Sequence, residues 1–388
     1  MNDDAIEASV LFAERDAGNG KRIGIATLNA PKTLNGLSLE MARLLDAQLI
    51  QWAADDDIAL VVLQGTGEKA FCAGGDLQGL YRGMREQQQR DRWEADAFAD
   101  PRGNPHAETF FATEYRLDYR IHTYPKPLLC WGHGIVMGGG IGLMSGASHR
   151  VVSERSKLAF PEITVGLFPD VGGSWLLPRV PDGAGLFLAL TGAPLDASDA
   201  IHAGLADVLV PEARRGDVFD AIAETDWAND AGARRAQLHA LLARFADTTA
   251  PGPLQRHAAR IRIACAQATL EDSVVAIAAL DANDDAWLRN AQTTLAAGAP
   301  GSARLGYELQ QRGAALPLAD VFRLEYIVAL HCAAHGDFAE GIRALLIDKD
   351  RNPHWQPATL AAASAAWAQS FFAAPWAAHE HPLADLGH

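Results

Sequence analysis

Apolar positions follow two rhythms along the chain. Ile23, Ile25 and Thr27 share one face of an alternating segment, which predicts a strand over residues 23–28 after a shorter one over 10–12. Gly18 and Gly20 lie between them, so residues 16–21 read as a hairpin connection. The period then lengthens. Leu39, Ala42, Leu45, Leu49 and Trp52 recur at helical spacing behind Ser38, whose hydroxyl can accept from an otherwise unpaired N–H of the first turn. The run over 59–64, apolar up to Leu63, returns as a buried strand. Strand, strand, helix, strand is the opening of a layered α/β fold.

The pattern recurs with a strand over 128–131, a small-residue helix over 139–147 and a strand over 149–153. Helices over 185–192 and 197–203 follow, and 206–210 is the last convincing strand. Beyond about residue 212 the period is helical throughout, with helices expected over 254–266, 270–280, 284–297, 302–311 and 318–334, separated by Gly, Pro or Asn. A boundary therefore falls within 212–252, and the working division is 1–225 for an α/β core and 226–388 for a mainly helical region. A length of 388 residues agrees with about two domains.

Charge narrows the function. With 33 Lys plus Arg against 48 Asp plus Glu, the net charge of −15 argues against a nucleic-acid or anionic-membrane surface, since both need clustered cations to displace counterions. Residues 1–7 lack the basic and apolar regions of a leader, and no apolar run has membrane-spanning length, so a soluble, cytoplasmic protein is expected. Cys72, Cys130, Cys265 and Cys332 are scattered without metal-ligand spacing and read as buried thiols. His379, Glu380 and His381 invite a metal reading, but this spacing suits no helix face and chain ends fray, so no metal is expected.

Two glycine-rich segments carry candidate chemistry. Phe71-Cys72-Ala73-Gly74-Gly75-Asp76 follows a strand and precedes a helix through Leu77, Leu80, Tyr81 and Met84. Gly134 to Gly142, with Gly138-Gly139-Gly140 at its centre, again joins strand to helix. Glycine lets a backbone N–H approach a ligand, and a helix start adds free N–H groups. Two such donors on one carbonyl oxygen make an oxyanion hole, although either segment alone is equally well a tight turn. Neither is a P-loop, and the second misses the dinucleotide-binding spacing. A third segment runs from Phe160 to Gly173 and sets Glu162 and Asp170 among Pro, Ile, Val, Leu and Phe. Desolvation there can raise a carboxyl pKa into the working range of a general acid or base; the alternative is a pair of solvated loop acids.

Together the three segments resemble the crotonase (enoyl-CoA hydratase/isomerase) superfamily. That resemblance implies a spiral of ββα units with a C-terminal helical region, an acyl-CoA substrate, and backbone oxyanion donors at Gly75 and Gly139. Gly74 and Asp76 join the implied substrate contacts. The hydratases of the family carry a catalytic Glu where Gly142 stands, and a second where this chain keeps Glu162. The remaining pattern is similar to the 3-hydroxyisobutyryl-CoA hydrolase branch. It includes Leu188 to Gly192, Asp337-Phe338, Glu340-Gly341, Arg343, Leu346 to Asp350, Pro353, Trp355 and Pro357.

The resemblance implies a thioester hydrolase of valine breakdown acting on a short, branched 3-hydroxyacyl-CoA. Glu162 would activate water or attack the thioester itself, two routes that stay open, and Asp170 would contact the 3-hydroxyl. No cofactor is implied, CoA being part of the substrate; a homo-oligomer is left open. Lys32, Arg82, Arg85 and Lys126 lie near the relevant turns as candidate partners for the CoA phosphates. The rivals are a hydratase or isomerase of the same family and a non-catalytic acyl-CoA-binding protein, which would have no use for two acids in one loop.

Overall fold

An antiparallel hairpin opens the fold: β1 (Val10–Asp16) pairs with β2 (Arg22–Leu28) from Val10 opposite Leu28 to Asp16 opposite Arg22. Its connection turns through left-handed Asn19 and Gly20. The structure, a computed structural model, describes residues 8–91 and 101–387, so the residues 1–7 read for a leader lie outside it. Among the described residues no helix is long and apolar enough to cross a membrane.

From β2 onward the main sheet is parallel, in the order β1-β2-β3-β5-β7-β9, with β3 (Ile58–Gly65), β5 (Leu128–Gly132), β7 (His149–Val152) and β9 (Val208–Leu209). The near-continuous apolar run of β3 is explained by burial on both faces, the usual state of a parallel strand. Helix α1 (Leu39–Ala54) makes the crossover from β2 to β3, capped by the Ser38 hydroxyl accepting from the Met41 N–H at 3.1 Å. Its buried stripe of Met41, Ala42, Leu45, Leu49 and Trp52 is the one the periodicity predicts. Trp52 sits so close over Gly24 that a Cβ there would come within 2.7 Å of the indole.

A second sheet of three strands runs β4 (Ala70–Cys72), β6 (Ile135–Met137) and β8 (Lys157–Ala159), with β4 and β6 parallel and Cys72 beside Val136.

The helices are α2 (Leu77–Asp91), α3 (Pro105–His122), α4 (Gly139–Ser145), α5 (Gly173–Leu176), α6 (Ala184–Thr191), α7 (Ala197–His202), α8 (Arg215–Glu224) and α9 (Ala231–Ala243). They continue as α10 (Pro253–Cys265), α11 (Leu270–Ala278), α12 (Ala286–Ala297), α13 (Pro300–Gly313), α14 (Leu318–Ala334), α15 (Asp337–Ile342) and α16 (Ala365–Gln369). The expected helices after residue 250 are all present to within three residues at each end.

The chain divides into two compact units that interleave along the sequence. The first holds residues up to Gly75, Arg120–Leu158 and Leu195–Gly252; the second holds Asp76–Tyr119, Ala159–Pro194 and the chain from Pro253. A single cut at 225 does not describe this division. Strand content suggested that cut, but the segments carrying α2, α3, α5 and α6 pack with the later helices, as α2 does with α14 and α15 and α6 with α13. The first unit's core joins Ile23, Leu60, Trp131, Val151, Trp227 and Leu238, so α8 and α9 close over the main sheet. Arg234 of α9 is buried and donates to the carbonyls of Ala59 and Asn229 at 2.9 and 2.7 Å, which satisfies a charge that would otherwise be costly.

Candidate active site

The two glycine turns belong to the first unit and leave the ends of neighbouring strands. Because β4 and β6 run parallel, their carboxyl ends deliver both turns to the same edge of the small sheet. The Leu37 N–H donates to the Gly74 carbonyl at 2.8 Å, and Gly74 itself has φ +120°, a conformation suited to glycine. Gly139 is the first residue of α4, so its N–H has no acceptor within that helix. Among the described residues, no backbone acceptor for the Gly75 N–H is present either. Gly140 is required for a different reason: a Cβ there would lie 2.2 Å from the Cys72 carbonyl oxygen. Gly142, where the hydratases carry an acid, is buried within α4. Asp76 begins the second unit and caps α2, its Oδ1 accepting from the Gly79 N–H at 2.9 Å.

Within the second unit, Glu162 and Asp170 are members of a buried cluster of acids. Glu162 opens the single turn Glu162–Thr164, is 4 % exposed, and leaves Oε2 without a hydrogen-bond partner. Asp170 is 5 % exposed and accepts the Tyr115 hydroxyl at 2.7 Å. Glu114, Asp118 and Glu325 are buried too, and both oxygens of Asp118 are unpartnered. Burial, then repulsion from Asp170, holds the Glu162 carboxyl well above the usual range. Asp170 is pushed up to about 6 by burial, against the opposing pull of the Tyr115 hydroxyl and a backbone N–H. Burial drives Glu325 up to about 8, opposed by two backbone N–H groups and reinforced by Asp170. Glu114 and Asp118 are raised by burial and by their acidic neighbours. The solvated-loop alternative for Glu162 and Asp170 therefore fails. Asp170, at about 6, can accept or release a proton near neutrality, which is what general acid–base work requires.

Sequence reasoning missed α3 and with it Glu114, Tyr115 and Asp118, and it missed Glu325 on α14. A signal was available. Glu114 and Asp118 are four residues apart on a helix whose neighbours Phe110, Phe111, Leu117 and Ile121 are buried, and Glu325 interrupts an apolar helix in the same way. An acid on the buried stripe of a helix is expensive and calls for an explanation.

Of the candidate phosphate partners, Lys126 is corrected. Its buried ammonium donates to the Trp52 carbonyl at 2.6 Å and to that of Asp55, so it closes the end of α1. Lys32 and Arg82 are exposed, and Arg85 donates to Gln88 at 2.6 Å. The tail does not fray: the two nitrogens of His381 engage the Arg323 carbonyl and the Leu383 N–H, at 3.1 and 2.9 Å. No group of three metal-ligating side chains exists among the described residues. Cys72, Cys130 and Cys332 are buried thiols as expected, whereas Cys265 is only half-buried.

Comparison with known proteins adds independent findings. The profile of the enoyl-CoA hydratase/isomerase family matches residues 23–372. A mitochondrial 3-hydroxyisobutyryl-CoA hydrolase of Danio rerio is 37% identical over 349 residues, which is 88% of this chain and 85% of that protein. The Homo sapiens protein of the same name is 32% identical over 342 residues, 87% of this chain and 82% of its own. Among solved structures, a carnitinyl-CoA dehydratase from Mycobacterium thermoresistibile superposes with a TM-score of 0.80 at 33% identity, covering 95% of this chain and 97% of that one. An enoyl-CoA hydratase from Rhodobacter sphaeroides 2.4.1 gives 0.79 at 34% identity, covering 95% and 98%. The α/β fold that the family resemblance implied is thus the fold. The expectation of a cytoplasmic protein is corrected, because these hydrolase relatives are mitochondrial by name. Missing leader character in a few terminal residues does not fix a compartment.

Proposed function

The chain belongs to the enoyl-CoA hydratase/isomerase family, and on that premise we propose that it is an acyl-CoA thioester hydrolase converting 3-hydroxyisobutyryl-CoA to 3-hydroxyisobutyrate and CoA in valine breakdown. The observation that carries this reading is the pair Glu162 and Asp170, both buried and raised, in a chain 37% identical to a hydrolase of that name.

In this reading the thioester oxygen receives electrophilic assistance. The N–H groups of Gly75 and Gly139 stabilise the charge developing on the thioester oxygen, where losing one donor typically costs about 3 kcal/mol. Gly74 and Asp76 contribute as substrate contacts of the same turn. Glu162 either takes a proton from water as it attacks the carbonyl carbon, or attacks that carbon itself to give an anhydride that water then opens. On both routes the C–S bond breaks and the CoA thiolate leaves to be protonated. Asp170, with one oxygen already engaged by Tyr115, accepts the substrate 3-hydroxyl with its remaining capacity. Homo-oligomeric assembly is part of the proposal and is checked by light scattering.

Release of free CoA, followed with a thiol reagent over a panel of acyl-CoA thioesters, tests the function. The expected result is fastest release from 3-hydroxyisobutyryl-CoA, with no loss of enoyl absorbance from a simple 2-enoyl-CoA, since Gly142 supplies no second acid for hydration. Enoyl absorbance lost without thiol release would replace this reading with a hydratase.

A further inference from the structure

Asp170 owes its place to a residue far along the chain. The segment after it leaves ordinary backbone space: Val171 has φ +52° and Gly172 φ +86°. A β-branched residue in the left-handed region is strained and persists only where its surroundings over-determine it. Prominent among those surroundings is one carboxyl. Glu325, fully buried on α14, accepts the Gly172 N–H on Oε2 and the Ser174 N–H on Oε1, both at 2.8 Å. The Gly173 N–H between them returns to the Asp170 carbonyl at 2.7 Å, so the clamp closes on Asp170 itself.

The same helix also governs the other end of Asp170. Phe322, one turn before Glu325, packs against the Tyr115 ring at 5.7 Å, and Tyr115 donates the hydrogen bond to the Asp170 carboxyl. Main chain and side chain of Asp170 are therefore both referred to α14. A helical turn can be capped locally by a Ser or Asn, at little cost. This one is capped by a buried carboxyl reaching across 153 positions, in a neighbourhood of Asp118, Glu162 and Asp170 that repels charge. Such an arrangement is expensive as mere support.

We infer that Glu325 is a positioning residue for substrate discrimination, holding the Asp170 turn in the one conformation that presents its carboxyl to the substrate 3-hydroxyl. The inference rests on the proposed role of Asp170.

Three variants separate the two ideas. Glu325→Gln keeps the volume but offers one acceptor oxygen and sets an NH2 against the second N–H donor; Glu325→Asp keeps the carboxyl on a shorter reach. Asp170→Ala tests the underlying role. With folding checked by circular dichroism and thermal unfolding, Glu325→Gln should lower the kcat/KM preference for 3-hydroxyisobutyryl-CoA over isobutyryl-CoA about tenfold, with isobutyryl-CoA held within about threefold of wild type. If Glu325→Gln folds poorly, Glu325→Asp is read for the same ratio. An unchanged ratio in the folded variant, while Asp170→Ala erases the preference, overturns the inference and leaves the Asp170 role standing. If Asp170→Ala keeps the preference, that role falls and the inference falls with it.

Discussion

In the first unit the candidate groups are main-chain N–H donors at Gly75 and Gly139, whereas in the second they are side-chain carboxyls at Glu162 and Asp170. The donors are set by strand pairing and by the absence of a Cβ, as at Gly140 over the Cys72 carbonyl. The acids are set by burial, which raises every member of their cluster. A main-chain site has nothing to titrate, so damage to it should lower rate without moving a pH profile. A carboxyl site should answer to both mutation and pH.

The largest expected effect tests the acid side. Glu162→Gln should lower kcat a hundredfold or more, about 3 kcal/mol in the barrier, with CoA affinity retained. In the wild type, Glu162 must be ionised to act, so kcat/KM should fall as pH drops through a value well above that of an ordinary Glu. A Gln variant at near wild-type rate would end the contrast between the units.

Next comes discrimination. The wild type should prefer 3-hydroxyisobutyryl-CoA over isobutyryl-CoA by at least about 100-fold in kcat/KM, because a buried carboxyl left unpaired is penalised. Asp170→Ala should remove most of that preference by slowing the hydroxylated substrate selectively. Equal losses on both substrates would assign Asp170 to the chemistry or to folding.

Gly140→Ala probes the other side of the comparison. Its methyl would meet the Cys72 carbonyl at 2.2 Å, and main chain yields only by moving the turn. We expect kcat to fall about tenfold, as for a small misplacement of catalytic groups, with an unshifted pH profile. A moved acid limb would show that the glycine turns are not independent of titration.

The smallest effect is on stability. Asp118 is raised by burial, so above the ordinary carboxyl value the folded chain keeps a proton that the unfolded chain releases. Its contribution is therefore present at low pH and lost as pH rises towards the folded value. Asp118→Asn should raise stability over wild type more at pH 8 than at pH 5, by about 1.4 kcal/mol for each pKa unit traversed, as read by urea unfolding. Equal differences at the two pH values would show that Asp118 titrates normally.

The same contrast explains what could be read from residues alone. Main-chain features leave compositional traces: Gly74, Gly138 and Gly166 mark left-handed backbone, and Ser38 marks a helix start. The alternation and helical spacing located β2, α1 and the helices from α10 to α14. Side-chain clusters leave weaker traces, because Glu114, Asp118 and Glu325 look like surface acids until the helices carrying them are placed. Lys126 failed in the opposite sense: a cation beside a turn suggested a ligand, and its partners are carbonyls at the end of α1. The expected division at 225 cuts across the two interleaved units, because strand content follows sequence while packing does not.

One contact at the end of the chain has a consequence in time. Arg116, on the helix that carries Glu114, Tyr115 and Asp118, donates to the Asp385 carboxylate 269 positions later. Arg323 of α14 likewise reaches the Leu383 and Ala384 carbonyls. At ribosomal speeds of about 5–20 residues per second, Arg116 waits on the order of tens of seconds for that partner to be synthesised. The first unit is fully translated by Gly252, well before. The glycine turns are thus translated well before residues 383–385, which join α3 and α14 only afterwards.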